Sequence, residues 1–353
     1  MKLKVRIIPK TLHFKRPAGT SRGEYTTRKV WYILLTDEAQ TGIGIGECAP
    51  LPKLSCDDVP GYEDVLEKAC HNLEDTNEID YRGLQKFPSI LFGLETALLH
   101  FRQNSFQLWN TPFSQGKQGI PINGLIWMGN FGYMREQIEE KLRKGFRCVK
   151  LKIGAIDFDS ELSLLSAVRK HYGAEKIQLR VDANGAFAPQ DALYKLKELA
   201  KYDIHSIEQP IRQGQWNEMR ALCQHSPIPI ALDEELIGIN ISKEKINLLD
   251  SITPAYIILK PSLHGGIQGC EEWISLATGR NIGYWITSAL ESNIGLNAIA
   301  QWCATLDSKM YQGLGTGLLF TDNVDIPLSI EKDSLWFRPA KVRADKVIDW
   351  LNE

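Results

Sequence analysis

Long apolar runs are missing from this 353-residue sequence. No stretch approaches the ~18 uninterrupted apolar residues that a membrane-spanning helix needs, so a membrane protein of that class is not expected. The opening MKLKVRIIPKTLHFKRP breaks its apolar positions with charge every second or third residue, which argues against a secretory leader. Cysteine pairs are missing too. The seven cysteines, Cys48, Cys56, Cys70, Cys148, Cys223, Cys270 and Cys303, are odd in number, scattered, and never spaced as C-x-x-C. That pattern argues against a disulfide framework and a zinc knuckle, and it fits a reducing, cytoplasmic compartment. Neither charge is in excess: 41 basic against 43 acidic residues leave a net −2. On that balance neither nucleic acid nor an anionic membrane is an expected partner. A dinucleotide fingerprint is absent as well, since Gly313-Leu314-Gly315-Thr316-Gly317 lacks the G-x-G-x-x-G spacing. What remains is an ordinary globular composition, 43% hydrophobic and 24% charged, in a chain long enough for one large domain and a smaller one.

The stretch that organises the chain is Val149-Lys150-Leu151-Lys152-Ile153. In extended chain, residues i and i+2 share a face, so Lys150 and Lys152 lie side by side. An isolated Lys-x-Lys reads as the solvated face of an edge strand. Here, however, further charged residues end further apolar runs: Asp182 in LRVDAN, Glu208 in HSIEQP, Asp233 in IALDEE and Lys260 in YIILKP. From Lys152 onward the intervals are 30, 26, 25 and 27 residues. A strand-plus-helix unit of an eight-fold barrel takes about 31 residues. The spacing therefore predicts a parallel α/β barrel with one charged group at the C-terminal end of each successive strand, where such barrels keep their chemistry.

The elements along the chain agree with that period. Residues 2–9 and Val30–Leu35 read as strands, and Gly42–Gly46 as the return of a hairpin. Between them, 17–23 reads as a mobile loop rich in turn formers. Helical patterns at about 62–75 and 88–103 complete an α+β unit over 1–118. Strand and helix then alternate over 119–320, with an eighth strand near 310–313. The segment 321–353 reads as returning to the first domain through Leu335-Trp336-Phe337.

Asp182, Glu208 and Asp233 would converge from three adjacent strands. Unpaired carboxylates brought together repel, and burial raises their pKa values; a divalent cation removes the conflict. An all-oxygen site without Cys or His suits Mg²⁺, or Mn²⁺, better than zinc. Such a cation stabilises the negative charge that develops when a proton leaves the carbon next to a carboxylate. A lysine can take that proton only if its pKa falls below the ordinary ~10.4, and neighbouring positive charge pushes it down. Arg180, two residues before Asp182, adds a positive group to the same wall or pairs with nearby carboxylates.

Taken in order, K-x-K at 150–152, DAN at 182–184, IEQP at 207–210, DEE at 233–235 and LKP at 259–261 resemble the enolase superfamily in its muconate-lactonizing subgroup. The resemblance covers nearly the whole chain. It implies a modified TIM-type (β/α) barrel with an N-terminal α+β capping domain completed by the C-terminal segment. It also implies Asp182, Glu208 and Asp233 as Mg²⁺ ligands, Lys152 as the proton-transfer lysine, Lys150 as its partner and Lys260 facing it. Loops 17–23 and 48–55 would close over the substrate.

The local motifs RPAGTSRG (16–23), RVDAN (180–184), TSALESNIGL (287–296) and GLGTG (313–317) most resemble the branch that dehydrates a succinyl-hydroxycyclohexadiene carboxylate in menaquinone biosynthesis. That implies a lyase acting on a small dicarboxylate, with Arg180, Arg22, Thr287 and Ser288 as substrate contacts. Gly315 departs from the acidic residue expected there in many of these enzymes. The rival readings are an N-acylamino acid racemase, a dipeptide epimerase, which needs an acidic pair that GLGTG does not offer, a muconate cycloisomerase and, from another class, a metal-stabilised barrel that only binds a ligand.

Overall fold

A computed structural model of the chain describes residues 2–20, 23–39 and 42–353. The first sheet is antiparallel, in the order β1 (Leu3–Thr20), β2 (Gly23–Asp37), β3 (Ile43–Cys48). β1 and β2 stay paired out to Thr20↔Gly23, with an irregularity between His13 and Ala18. The stretch expected as a loop from residue 17 is therefore strand as far as Thr20 and again from Gly23, and Ser21 and Arg22 lie outside the described residues.

Two helices, α1 (Tyr62–Thr76) and α2 (Pro88–Gln103), pack on this sheet. α2 is buried on nearly every side, as a helix caught between two layers must be. β3 can lie against it only because it carries glycines: a Cβ on Gly46 would sit 1.9 Å from the Gly93 carbonyl oxygen, and one on Gly44 2.2 Å from that of Ala97.

The larger part follows a strand–helix alternation: β4 (Ile120–Pro121), β5 (Gly124–Ile126), α3 (Phe131–Arg143), β6 (Cys148–Lys152), α4 (Phe158–His171), β7 (Gln178–Asp182), α5 (Pro189–Ala200), β8 (Ile204–Glu208), α6 (Trp216–His225), β9 (Ile230–Leu232), α7 (Ser242–Ile252), β10 (Tyr256–Leu259), α8 (Gly266–Thr278), β11 (Gly283–Ile286) and α9 (Asn293–Cys303). β5 to β11 form one parallel sheet in sequence order. Where an eighth strand was expected, only two bridges form, Thr287↔Gly313 and Ile122↔Gln312. They suffice to close the ring: Gly313 N donates to Ile286 O (2.8 Å) on one side and Gln312 N to Pro121 O (2.9 Å) on the other. The result is a modified (β/α) barrel.

Finally β12 (Leu328–Glu331) pairs with β13 (Ser334–Phe337), and β13 with β4, so Leu335-Trp336-Phe337 joins the start of the barrel region and not the first sheet, which is reached instead by α10 (Ala344–Asn352). Trp350 on α10 packs edge-on against Tyr32 of β2, with ring centroids 5.4 Å apart, and Arg6 donates to Asn352. Among the described residues no helix is long and apolar enough to cross a membrane.

Candidate active site

Strand register fixes the height of the charged groups. Lys152 is level with Asp182 on β6 and β7, and Asp182 with Glu208 on β7 and β8. Because the period of a strand is two, Lys150 and Arg180 occupy the next layer down. Asp233 and Lys260 stand just past the ends of β9 and β10. Lys150, Lys152, Asp182, Glu208, Asp233, Lys260, Thr287 and Ser288 all line one cavity at the C-terminal ends of the strands.

The floor of that cavity is a buried charge lattice. Lys150 Nζ donates to Glu208 Oε2 at 2.7 Å and to Asp182 Oδ2 at 3.2 Å. Lys152 Nζ lies 2.8 Å from Asn184 Oδ1 and 3.4 Å from Asp182 Oδ2. On the far wall, Lys260 Nζ contacts both oxygens of Asp233, at 2.7 and 2.5 Å. Asp182, Glu208 and Asp233 are each at most 2% exposed. Burial pulls the Lys150 pKa down, but Asp182 and Glu208 outweigh it and hold it above its ordinary value. Burial works against charged Asp182 and Asp233 too, and the lysines win, keeping both low. Glu208 goes the other way. Its burial and the nearby Asp182 exceed what Lys150 returns, and its pKa is well above the usual range.

Glu234, which no motif reading singled out, adds a fourth carboxylate. It is buried, its Oε1 accepts from Asn184 Nδ2 at 2.9 Å, and its Oε2 has no partner among the described residues. Burial, then Asp233 and Asp182, push it up to about 7. Four carboxylates thus face three lysines. That negative excess, with an orphaned buried oxygen beside it, fits a divalent cation held by oxygen ligands. With the ammonium groups lying against the carboxylates, no three His, Cys, Asp or Glu side chains among the described residues close into a cation site.

Two neighbours of the motif carboxylates shape the floor. Asn184 (φ 43°) turns back so that its side chain bridges Lys152 and Glu234. Gln209 (φ 39°) is fully buried; its Oε1 accepts from the Asp233 and Glu235 amides and its Nε2 donates to Glu235 Oε2. Gln209 thereby fixes the turn that carries Asp233. Both sit in the DAN and IEQP motifs, and the signal was there: a polar amide one or two residues after the strand-end carboxylate.

The expected substrate contacts divide. Thr287 and Ser288 line the cavity, Ser288 Oγ 2.6 Å from Thr316 Oγ1 and Thr287 Oγ1 buried without a partner among the described residues. Arg180 does not line it. Its guanidinium stacks on Trp285, 4.3 Å from the ring centroid, and Nη1 donates to Tyr311 O at 2.9 Å. It closes the barrel one layer beneath the site. Arg22 lies outside the described residues. Leu51 and Leu54, from the loop after β3, form part of the apolar rim together with Trp127 and Leu263.

Comparison with known proteins agrees with this geometry. The Enolase C-terminal domain-like family matches residues 133–335, more than half the chain, and the chain belongs to the enolase superfamily. The MenC N-terminal domain family matches residues 20–101. An o-succinylbenzoate synthase from Desulfotalea psychrophila is 46% identical over 352 aligned residues, 91% of this chain and 95% of that one. Within the superfamily, then, this is a member of the o-succinylbenzoate synthase family. The crystal structure of MenC from the same organism superposes with a TM-score of 0.80 at 41% identity, covering 95% of this chain and all of that one. A dipeptide epimerase from Enterococcus faecalis, complexed with Mg and a dipeptide, shares the fold at a TM-score of 0.81 and 19% identity, covering 96% of this chain and 98% of that one.

Proposed function

We infer that the chain is a hydro-lyase: it abstracts the α-proton of 2-succinyl-6-hydroxy-2,4-cyclohexadiene-1-carboxylate and expels the 6-hydroxyl from the same face, giving 2-succinylbenzoate for menaquinone biosynthesis. The observation that carries this reading is two lysines on opposite walls of one cavity, over a buried carboxylate floor, in a chain 46% identical to an enzyme of that name. Lys152 Nζ takes the α-proton. Lys260, facing it, offsets the charge of the resulting enediolate with its own. The C–O bond then breaks, and the Lys152 ammonium returns the proton to the departing hydroxyl, which leaves as water. One group serving as base and then acid requires both events on one face, which is syn elimination.

Asp182, Glu208 and Asp233 would hold the divalent cation, Mg²⁺ by the hardness of its all-oxygen donors; when bound, it supplies positive charge to the substrate carboxylate and acidifies the α-carbon. Lys150, paired with Glu208 and Asp182, keeps two of those carboxylates oriented and places a fixed positive charge beside Lys152. The unpaired hydroxyl of Thr287 and that of Ser288 are available to a substrate oxygen. Leu51, Leu54 and Trp127 exclude water from the ring. An epimerase acting on dipeptides needs carboxylates for the substrate ammonium, and 313–317 carries none.

The test is purified protein with Mg²⁺ and the cyclohexadiene substrate, following loss of diene absorbance and the product mass. The expected result is metal-dependent formation of 2-succinylbenzoate. A folded, Mg²⁺-supplied protein that leaves the diene unchanged would refute the reading.

A further inference from the structure

Above the barrel, where the first sheet meets the loop after β11, lies a second cluster of buried polar groups that touches none of the groups on the floor. Glu47, on β3, is fully buried and reaches across to the start of α9. Its Oε1 accepts from Ser292 N at 2.8 Å, and its Oε2 from Ser292 Oγ at 2.5 Å and Gly295 N at 2.8 Å. It thus caps a barrel helix from 245 residues away in sequence. Free amides at a helix start favour a carboxylate, and Gly295 leaves the room: a Cβ there would come 2.9 Å from Glu47 Oε2.

One residue before Ser292, Glu291 is also fully buried. It accepts from Ala289 N at 2.7 Å and from Ser262 Oγ on the loop after β10. Arg28 of β2, 1% exposed, is the cation of this cluster. Nη2 donates to Ala49 O at 2.6 Å at the start of the rim loop; burial works against its charge, and Glu291 and Glu47 offset only part of that effect. Between these anchors run Thr287, Ser288, Ala289 and Leu290, all lining the cavity, with Leu290 held at φ 64°. A leucine in that region is strained, so the segment keeps its shape only while something over-determines it.

We propose that Glu47 is a positioning residue for the reaction: through Ser292, and with Glu291 and Arg28, it sets the 287–290 wall against which the substrate lies. This deepens the dehydratase reading and rests on it. Glu47 does not reach Lys152, Lys260 or the floor carboxylates. Loss of Glu47 should therefore weaken contacts made equally in the ground and transition states, which raises KM and spares kcat.

Glu95 supplies a matched control. It is a buried carboxylate of α2 that caps a different barrel helix, α8, by accepting from Ile267 N and Gln268 N at 2.5 and 3.1 Å, and it touches no part of the 287–292 segment. Steady-state kinetics of the Mg²⁺-supplied enzyme on the cyclohexadiene substrate would compare Glu47→Ala, Glu47→Gln, Ser292→Ala and Glu95→Gln with the unaltered protein. The expected outcome is a KM at least tenfold higher for Glu47→Ala with kcat within about threefold, a smaller rise for Ser292→Ala, partial recovery in Glu47→Gln, and Glu95→Gln within about threefold on both. Unchanged KM in the Glu47 variants, or an equal rise in Glu95→Gln, would overturn the proposal. If Glu47→Ala does not fold, Glu47→Gln and Ser292→Ala decide it alone, and an unchanged KM in both counts against it. An unaltered enzyme that does not turn over the diene at all refutes the underlying reading instead.

Discussion

Replacing Lys152 by alanine separates catalysis from stability. Among the described residues Lys152 Nζ has two polar contacts, Asn184 Oδ1 at 2.8 Å and the longer approach to Asp182 at 3.4 Å. Without it, Asp182 keeps Lys150 at 3.2 Å and the Asn184 amide, so no buried carboxylate is stranded. The large penalty for breaking a buried pair, about 3–5 kcal/mol, is therefore not incurred, and the melting temperature should move by a few degrees at most. Catalysis should respond very differently. A positioned acid or base contributes about 10²–10⁴-fold, and Lys152 serves as both in turn, so kcat should fall toward or beyond the upper figure. At about 1.36 kcal/mol per tenfold that is roughly 5 kcal/mol of barrier, far more than the fold loses. The assay is loss of diene absorbance at saturating substrate and Mg²⁺, with thermal melting in parallel. A Lys152→Ala protein that melts normally and keeps more than a tenth of the activity would refute Lys152 as the proton-transfer group.

Other outcomes follow from the same geometry. Chelation by EDTA should abolish turnover, and Mg²⁺ at about 100 times its Kd should add roughly 2.7 kcal/mol of stability; melting that ignores Mg²⁺ would count against a cation on the carboxylate floor. Glu95, pushed up to about 7 by burial, which outweighs the opposing Ile267 and Gln268 amides, is stabilised in its neutral form. Its contribution, on the order of 3 kcal/mol, is complete below the unfolded carboxyl pKa near 4.5 and is lost as pH rises through 7. Denaturant unfolding of Glu95→Gln from pH 4 to 8 should therefore show a flatter profile than the unaltered protein, and identical slopes would exclude this source. Gly46→Ala forces a Cβ to within 1.9 Å of the Gly93 carbonyl. An overpacking cost of about 1–3 kcal/mol or more should appear as a lowered melting temperature, and an unchanged one would show that β3 and α2 can part freely.

The barrel and its floor were legible because both are periodic. Charged residues at the ends of apolar runs, repeating with the length of a strand–helix unit, brought Lys150, Lys152, Asp182, Glu208, Asp233 and Lys260 into one cavity. Period says nothing about depth, however. Arg180 shares a strand face with Asp182, yet it lies one layer lower and stacks on Trp285, because adjacent same-face positions differ in height along the barrel. The closing segment at 310–313 makes two bridges where a strand was expected, since joining β11 to β4 takes only two residues of backbone pairing. Glu47 and Glu95 as caps of α9 and α8 could not be read at all. Each joins residues about 170 to 250 apart, and local pattern carries no trace of such partners.

The packing of α10 on the first sheet bears on how the chain is made. Trp350 covers Tyr32 and lies under Lys10, while Asn352 receives Arg6. The first sheet is thus finished by residues up to 346 positions later in the sequence. At ~5–20 residues per second, roughly 15–60 s of synthesis separate the two, and through that interval Tyr32, Lys10 and Arg6 lack their α10 partners. A nascent chain halted before residue 344 should accordingly recruit holdase chaperones to its first sheet and release them once the final helix arrives.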